Sequence, residues 1–351
     1  MDIEFSRRQI MAALAALLSA PPVMAMQANS PASSVHRKPP RLKKGDTVGL
    51  IEPASASDEP FQIQLVEEAI TAMGLIPKRA PHILDRYGYL AGRDKDRASD
   101  INAMFADKTV KAIFAVRGGW GSARLLPYLD WDIIRANPKL LTGFSDITAL
   151  HMAIAAKAGF TTLHGPNAGS AWGKSSWDAF YPIAFDAATP TLVNPEGGED
   201  RLTQRRWRTQ TITAGKAKGR LLGGNLTVLS ALAGSSYLPD FNGAILFLED
   251  VDEAEYRIDR MLTQLGLAGI LKNLAGAVFG QCTSCTGSSS GVYGGFTLND
   301  VLRQHLGSLG IPVYTGAWFG HITDQFTLAQ GVMTEIDANA GTLRMLEPAV
   351  A

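Results

Sequence analysis

The chain has 351 residues, with 33 Lys or Arg against 33 Asp or Glu, so its formal charge is zero. That balance argues against a nucleic-acid binder, which carries a basic excess, and 46% hydrophobic with 19% charged residues argues against wholesale disorder. The length fits two domains or one large α/β unit, and 35 glycines point to tight turns between strands and helices.

Arg7 and Arg8 precede an apolar run over residues 10–20, and Val23-Met24-Ala25 follows as a small-residue cleavage pattern. Residues 1–25 therefore read as a signal peptide of the twin-arginine type, which predicts an exported, periplasmic protein. The run is shorter than the roughly 20 residues a membrane span needs, so no stable membrane insertion is expected after signal removal. Asp2 and Glu4 depart from the usual positive start. Residues 26–45 are rich in Ser, Pro, Arg and Lys and read as a flexible linker. Folding is expected to begin near Asp46.

Apolar strand patterns at residues 47–51, 111–116 and 140–143 alternate with helical spacing at 61–73, 122–134 and 147–157. Such alternation marks βαβ units and a parallel sheet, in which ligand sites lie at the carboxyl ends of the strands. Residues 46–168 are read as a first domain. From 169 to 215 the chain is polar, rich in Trp and Arg, and poorly periodic, and is read as a connection. Residues 216–351 make a second domain. It has strands at 244–248, 275–279 and 312–315, helices at 254–267 and 298–306, and a closing hairpin within 326–346 that turns through Asn339-Ala-Gly341.

Only two cysteines occur, as Cys282-Thr-Ser-Cys285. A structural zinc needs two further ligands at suitable spacing, and no second such pair exists. A Gly-Ser run follows, so the two are read as loop thiols, reduced or oxidised.

Gly143-Phe-Ser145-Asp146 stands between an apolar strand and a helix. A serine at such a turn is held out of the sheet, and the amide of Asp146 can donate to an oxyanion. Ser145 as a simple helix N-cap is the alternative. A serine nucleophile needs a base. Of the six histidines, His164 and His321 follow strand-like segments, and His321, in Trp318-Phe-Gly-His321, is the better placed. The base needs an orienting carboxylate. Glu249 ends the apolar strand at 244–248, within a run of five carboxylates that also admits a cation site or a solvated acidic turn. Arg117-Gly-Gly-Trp-Gly121 follows another strand, where its glycines leave backbone amides free. Arg124 stands where a dinucleotide site would need its third glycine, which weakens that reading. Arg117 can grip a substrate carboxylate with its two-pronged guanidinium, or brace the turn.

Five motifs occur in order: residues 116–126 around Arg117, Gly143-Phe-Ser-Asp-Ile-Thr148, Leu222-Gly-Gly-Asn-Leu226, Leu248-Glu-Asp-Val251 and Phe319-Gly-His321. Together they resemble the LD-carboxypeptidase family of serine peptidases, the muramoyltetrapeptide carboxypeptidases, from about Lys44 to Leu346. The resemblance implies an α/β fold with an N-terminal Rossmann-like parallel-sheet domain and a C-terminal β-rich α/β domain. It implies a Ser145, Glu249, His321 triad assembled between the two, with the Asp146 and Gly119 amides as oxyanion donors. It also implies a homodimer, with no metal and no cofactor.

The implied substrate is a murein tetrapeptide, which loses its terminal D-alanine. Two departures from the family pattern stand out. Many members lack an export signal, and the 169–215 connection, with Trp172 and Trp177, matches no motif. Relatives of this fold cleave peptide–nucleotide antibiotics of the microcin C kind, and an aromatic platform in that connection would suit a base. Outside enzymes, the alternative is a non-catalytic wall-peptide binding protein.

Overall fold

The computed structural model describes residues 37–196, 202–204, 206–285 and 295–351. The expected signal peptide at 1–25 lies outside them, as does the Gly-Ser run after Cys285.

In the first sheet β1 (Thr47–Ile51), β2 (Ile76–Arg79), β3 (Val110–Ala115), β4 (Leu140–Gly143) and β5 (Thr162–His164) are paired in parallel. Between them lie α1 (Pro60–Ala72), α2 (Asp94–Ala106), α3 (Trp131–Ala136) and α4 (Thr148–Lys157). Apart from Lys111, every residue of β3 is buried, as in a parallel strand covered on both faces. Next come α5 (Lys174–Ala184), β6 (Thr191–Leu192), β7 (Gln210–Thr213), β8 (Lys216–Asn225), α6 (Leu226–Ala231) and β9 (Ile245–Val251). The chain continues through α7 (Glu255–Leu267), β10 (Gly276–Thr283), α8 (Leu298–His305), β11 (Val313–Thr315), β12 (Leu328–Gln330), β13 (Met333–Asp337) and β14 (Thr342–Met345).

Among the described residues the second sheet runs β6-β14-β13-β8-β9-β10-β11-β7, with β8 to β11 parallel and its outer strands antiparallel. Strand β12 leaves this half of the chain and pairs antiparallel with β5, giving the first sheet the order β12-β5-β4-β3-β1-β2. A single core cluster contains Phe105 and Leu150 from the first half and Leu229, Leu262 and Phe279 from the second. The Asn225 amide donates to Thr148 Oγ1 at 3.0 Å, tying the end of β8 to the start of α4. The two halves thus share one core and are tied where β8 meets α4. No helix among the described residues is long and apolar enough to cross a membrane.

Several expectations need correction. The helix expected at 122–134 is broken into a 3-10 turn, Ser122–Tyr128, and α3. Pro127 supplies no amide there, and Asp130 caps the new helix by accepting from the Asp132 and Ile133 amides. Of the supposed linker, residues 37–45 are packed against the body. Arg37 N donates to Gly159 O at 3.0 Å, Leu42 N to Ala184 O at 2.9 Å, and Leu42 is buried. Residues 169–215 are more than a connection, since they supply α5 and two strands of the second sheet. Strand β2 and helix α2 were not anticipated. Helix α2 buries Arg97 and Asp100, charged residues that hide its inward face from a hydrophobic pattern.

Candidate active site

Ser145 follows β4 with φ of +65°, a left-handed conformation that costs a non-glycine residue about 1–3 kcal/mol. The turn is held on both sides. Gly143 O accepts from Gly165 N at 3.2 Å and from His151 Nε2 at 2.9 Å, and Phe144 N donates to Asn167 Oδ1 at 3.1 Å. Burial pushes His151 down to about 4, so it serves this bond as a neutral ring. The result is a half-buried serine on a sharp turn of the nucleophile-elbow kind, and Ser145 makes no N-cap side-chain bond of its own helix.

His321 Nε2 stands 2.9 Å from Ser145 Oγ, and its Nδ1 stands 2.7 Å from Glu249 Oε2. A carboxylate accepts, so Nδ1 carries the proton and Nε2 is left to accept from the serine hydroxyl. Glu249 is fully buried. Strand β9 continues past it to Val251, so Glu249 lies within the strand rather than ending it. The pairing of β9 with β10 is irregular opposite Glu249, between Phe279 and Cys282. Gly320 precedes the histidine with φ of +122°, and a Cβ there would come within 3.2 Å of Glu249 Cβ and Oε2. Burial disfavours the imidazolium of His321. The Glu249 hydrogen bond and the charges of Glu249, Asp250 and Asp252 outweigh burial, so the net pKa is raised.

His164, the other strand-end histidine, is fully buried and both its ring nitrogens lack partners among the described residues. Burial holds it well below the usual histidine value. Its ring meets those of Phe144, Phe247 and Phe319 edge-on, which makes it a packing element beneath the site.

Asp146 Oδ2 accepts from Ser122 N at 2.7 Å, linking the serine turn to the glycine-rich loop after β3. A Cβ on Gly118 would come within 2.9 Å of Ser145 Cβ, so the 118–119 backbone lies directly against the serine. Neither the Gly119 nor the Asp146 amide has an acceptor among the described residues. Arg117 donates through Nη1 to Ala56 O at 2.9 Å, and it also lines a cavity of about 750 Å³ with Ser57, Asp58, Phe144 and Asn167.

The five carboxylates near Glu249 are not gathered. Asp250, pushed up to about 6 by burial, accepts from Asn225, Thr227 and the Val251 amide, and Glu253 lies 3.5 Å from Arg257. Among the described residues no three His, Cys, Asp or Glu side chains are grouped as a metal requires. Cys282 and Cys285 form a disulfide, and Cys282 belongs to β10 rather than to a loop. Between them Thr283 Oγ1 donates to His321 O at 2.7 Å, a contact no sequence signal announced. Asn167, in the run His164-Gly-Pro-Asn167 that begins on the last residue of β5, is a site residue the sequence reading did not single out. Trp172 and Trp177 are half-buried, pack against Phe114 and Phe180 at the edge of a core cluster, and line a cavity of about 330 Å³ with Ala69 and Met73.

Residues 48–165 match the model of the LD-carboxypeptidase N-terminal domain, and residues 218–336 match that of the LD-carboxypeptidase C-terminal domain. A putative carboxypeptidase of Streptomyces coelicolor is 38% identical over 320 residues, covering 89% of this chain and 97% of the relative. The chain belongs to the LD-carboxypeptidase family. It is a hydrolase of the serine-type carboxypeptidase class. In this LD-carboxypeptidase the first matched region carries Ser145 and the second carries Glu249 and His321. A probable murein peptide carboxypeptidase of Bacillus subtilis is 36% identical, with 85% of this chain and 91% of the relative covered. A solved structure of the protein MccF with glutamyl sulfamoyl guanosine superposes with a TM-score of 0.80 at 26% identity, covering 90% of this chain and 99% of that one.

Proposed function

We propose that the enzyme releases the terminal D-alanine of murein tetrapeptides by an acyl-enzyme route through Ser145, His321 and Glu249. The observation that carries this reading is the continuous chain of hydrogen bonds from Ser145 Oγ through both ring nitrogens of His321 to Glu249. His321 Nε2 takes the hydroxyl proton as Ser145 Oγ attacks the carbonyl carbon of the scissile amide. Glu249 keeps the ring in the required tautomer and stabilises its cation. The Gly119 and Asp146 amides receive the developing oxyanion. His321 then returns the proton to the departing amine of D-alanine, and water, activated by the same ring, hydrolyses the ester.

An exopeptidase must read a free carboxylate, and Arg117 at the cavity wall is assigned to it. The murein substrate is supported by the name of the Bacillus subtilis relative. Arg7 and Arg8 ahead of an apolar run support export to the periplasm by the twin-arginine route, and Arg7→Lys with Arg8→Lys should abolish delivery there. A homodimer is expected from the family, and the solution mass tests it.

The deciding experiment is mass spectrometry of the purified protein incubated with murein tetrapeptide, which should show loss of one alanine. The likeness to MccF favours a second reading, cleavage of an aminoacyl nucleotide analogue. Turnover of an aminoacyl sulfamoyl adenosine with no release of alanine from tetrapeptide would select it. A fluorophosphonate that fails to label Ser145 would point instead to a non-catalytic binding protein.

A further inference from the structure

Two consecutive glycines, Gly118 and Gly119, carry the backbone that lies against Ser145. A Gly-Gly peptide has the least intrinsic restriction on its rotation. An amide that must receive an oxyanion has to be aimed before the reaction starts, because preorganised donors cost no reorganisation when charge develops. Something outside the Gly-Gly pair therefore has to set the angle of this peptide.

Ser55 bonds the peptides on both sides of Gly119. Its backbone N donates to Gly118 O at 3.3 Å, and its Oγ accepts from Trp120 N at 3.2 Å. The Gly118 carbonyl and the Gly119 N–H belong to one planar trans peptide, so they point in opposite directions. Holding the carbonyl toward Ser55 turns the Gly119 N–H away from Ser55. The Ser55 hydroxyl also fills the space beside Gly119: a Cβ at 119 would overlap Ser55 Oγ and lie 2.6 Å from Ser55 Cβ. Gly119 has φ of +109°, so the glycine is needed both for its backbone conformation and for this close approach.

The loop that carries Ser55 is itself fixed. Ser57 N donates to Glu52 at 3.2 Å, Ala91 N donates to Ala54 O at 3.0 Å, Arg86 Nη2 donates to Ser57 O at 2.6 Å, and Arg117 Nη1 donates to Ala56 O at 2.9 Å. A braced loop can hold a rotatable peptide, whereas a slack one would move with it.

We infer that Ser55 is a positioning residue for the oxyanion site, aiming the Gly119 amide through its two bonds to the 118–120 backbone. This rests on the catalytic reading above. Ser55→Ala leaves the backbone bond to Gly118 O in place and removes the Oγ bond that holds Trp120 N; because Ser55 touches no reacting atom, that loss should lower kcat and leave KM nearly unchanged.

The test compares Ser55→Ala with the wild-type full chain on murein tetrapeptide. Loss of an oxyanion donor costs about 100- to 1000-fold in kcat, and misaiming one should cost about 10-fold. Affinity for a peptide boronic acid, which forms the tetrahedral adduct on Ser145, should fall by a similar factor, while product affinity and melting temperature hold. Ser55→Thr, which keeps the hydroxyl, should recover most of the rate. If Ser55→Ala does not fold, Ser55→Cys, nearly isosteric with a weaker acceptor, replaces it in the same comparison. Wild-type kcat and boronate affinity in the variant would overturn the inference, as would equal losses of boronate and product affinity. Failure of the catalytic reading looks different: the wild-type protein itself would release no alanine and bind no boronate at Ser145.

Discussion

Ser145 and His321 are 176 positions apart in the chain and 2.9 Å apart in space. The serine stands at the carboxyl end of β4 in the first sheet, and the histidine on the segment between β11 and β12 that returns from the second sheet to the first. The contact therefore depends on the seating of the two sheets.

Ser145→Ala, Glu249→Ala and His321→Ala should each lower kcat by about 1000-fold or more, and double variants should fall little further, because the three act as a unit. Ser145→Gly should be equally inactive yet more stable than Ser145→Ala by about 1 kcal/mol, since glycine tolerates φ of +65°. Thermal melts of the two variants compare them directly. Equal melting temperatures would count against a strained turn.

The raised pKa of His321 sets the acidic limb of activity. The base must be neutral, so kcat/KM should fall as pH drops through a value above 6.5, the ordinary histidine value. Glu249→Gln removes the carboxylate charge and should shift that limb to lower pH while also lowering kcat. For stability the sign is opposite. The folded protein holds this proton more tightly than the unfolded chain, so the contribution is full below about 6.5 and disappears as pH rises through the folded value. Melting curves of wild type and His321→Gln across pH 5 to 9, an interval of about four units around the histidine range, check it.

Arg117→Lys separates a substrate grip from a brace. Lysine keeps the charge and loses the two-pronged fork. If Arg117 receives the terminal carboxylate, KM should rise about 10-fold with little change in melting temperature. Its bond to Ala56 O makes a partial brace, so Arg117→Ala should lose stability as well, by about 1 kcal/mol. An unchanged KM in Arg117→Lys together with a lowered melting temperature rejects the substrate role.

The Cys282–Cys285 disulfide closes a loop of sequence separation 3, and such a short loop is worth about 2 kcal/mol by chain entropy. A thiol titration of the native protein should find no free cysteine. Cys282→Ser with Cys285→Ser should lower denaturant stability by about that amount. Thr283 lies between the cysteines and holds the His321 carbonyl, so kcat should fall with it. Stability and kcat unchanged after reduction would mean the bridge supports neither.

Local patterns made much of this protein legible in its sequence. The apolar runs at 47–51 and 140–143 are strands because buried parallel strands need continuous apolar residues. Gly143-Phe-Ser-Asp marked the sharp turn because a strand that feeds a helix within four residues must bend there. The tail hairpin was readable from its Asn339-Ala-Gly341 turn. Tertiary structure alone decided the rest. It packed His164 among Phe144, Phe247 and Phe319 and brought His321 to Ser145, although both histidines follow strand-like segments. It buried Arg97 against carbonyl groups from Gly92 and Gly121 in a helix whose charges disguised it. It also sent β12 to the first sheet, aimed Ser55 at the 118–120 backbone, and joined the two cysteines. Periodicity records only which face of an element is buried. Which distant group meets that face depends on how whole sheets and loops pack, and neighbouring residues carry no record of that choice.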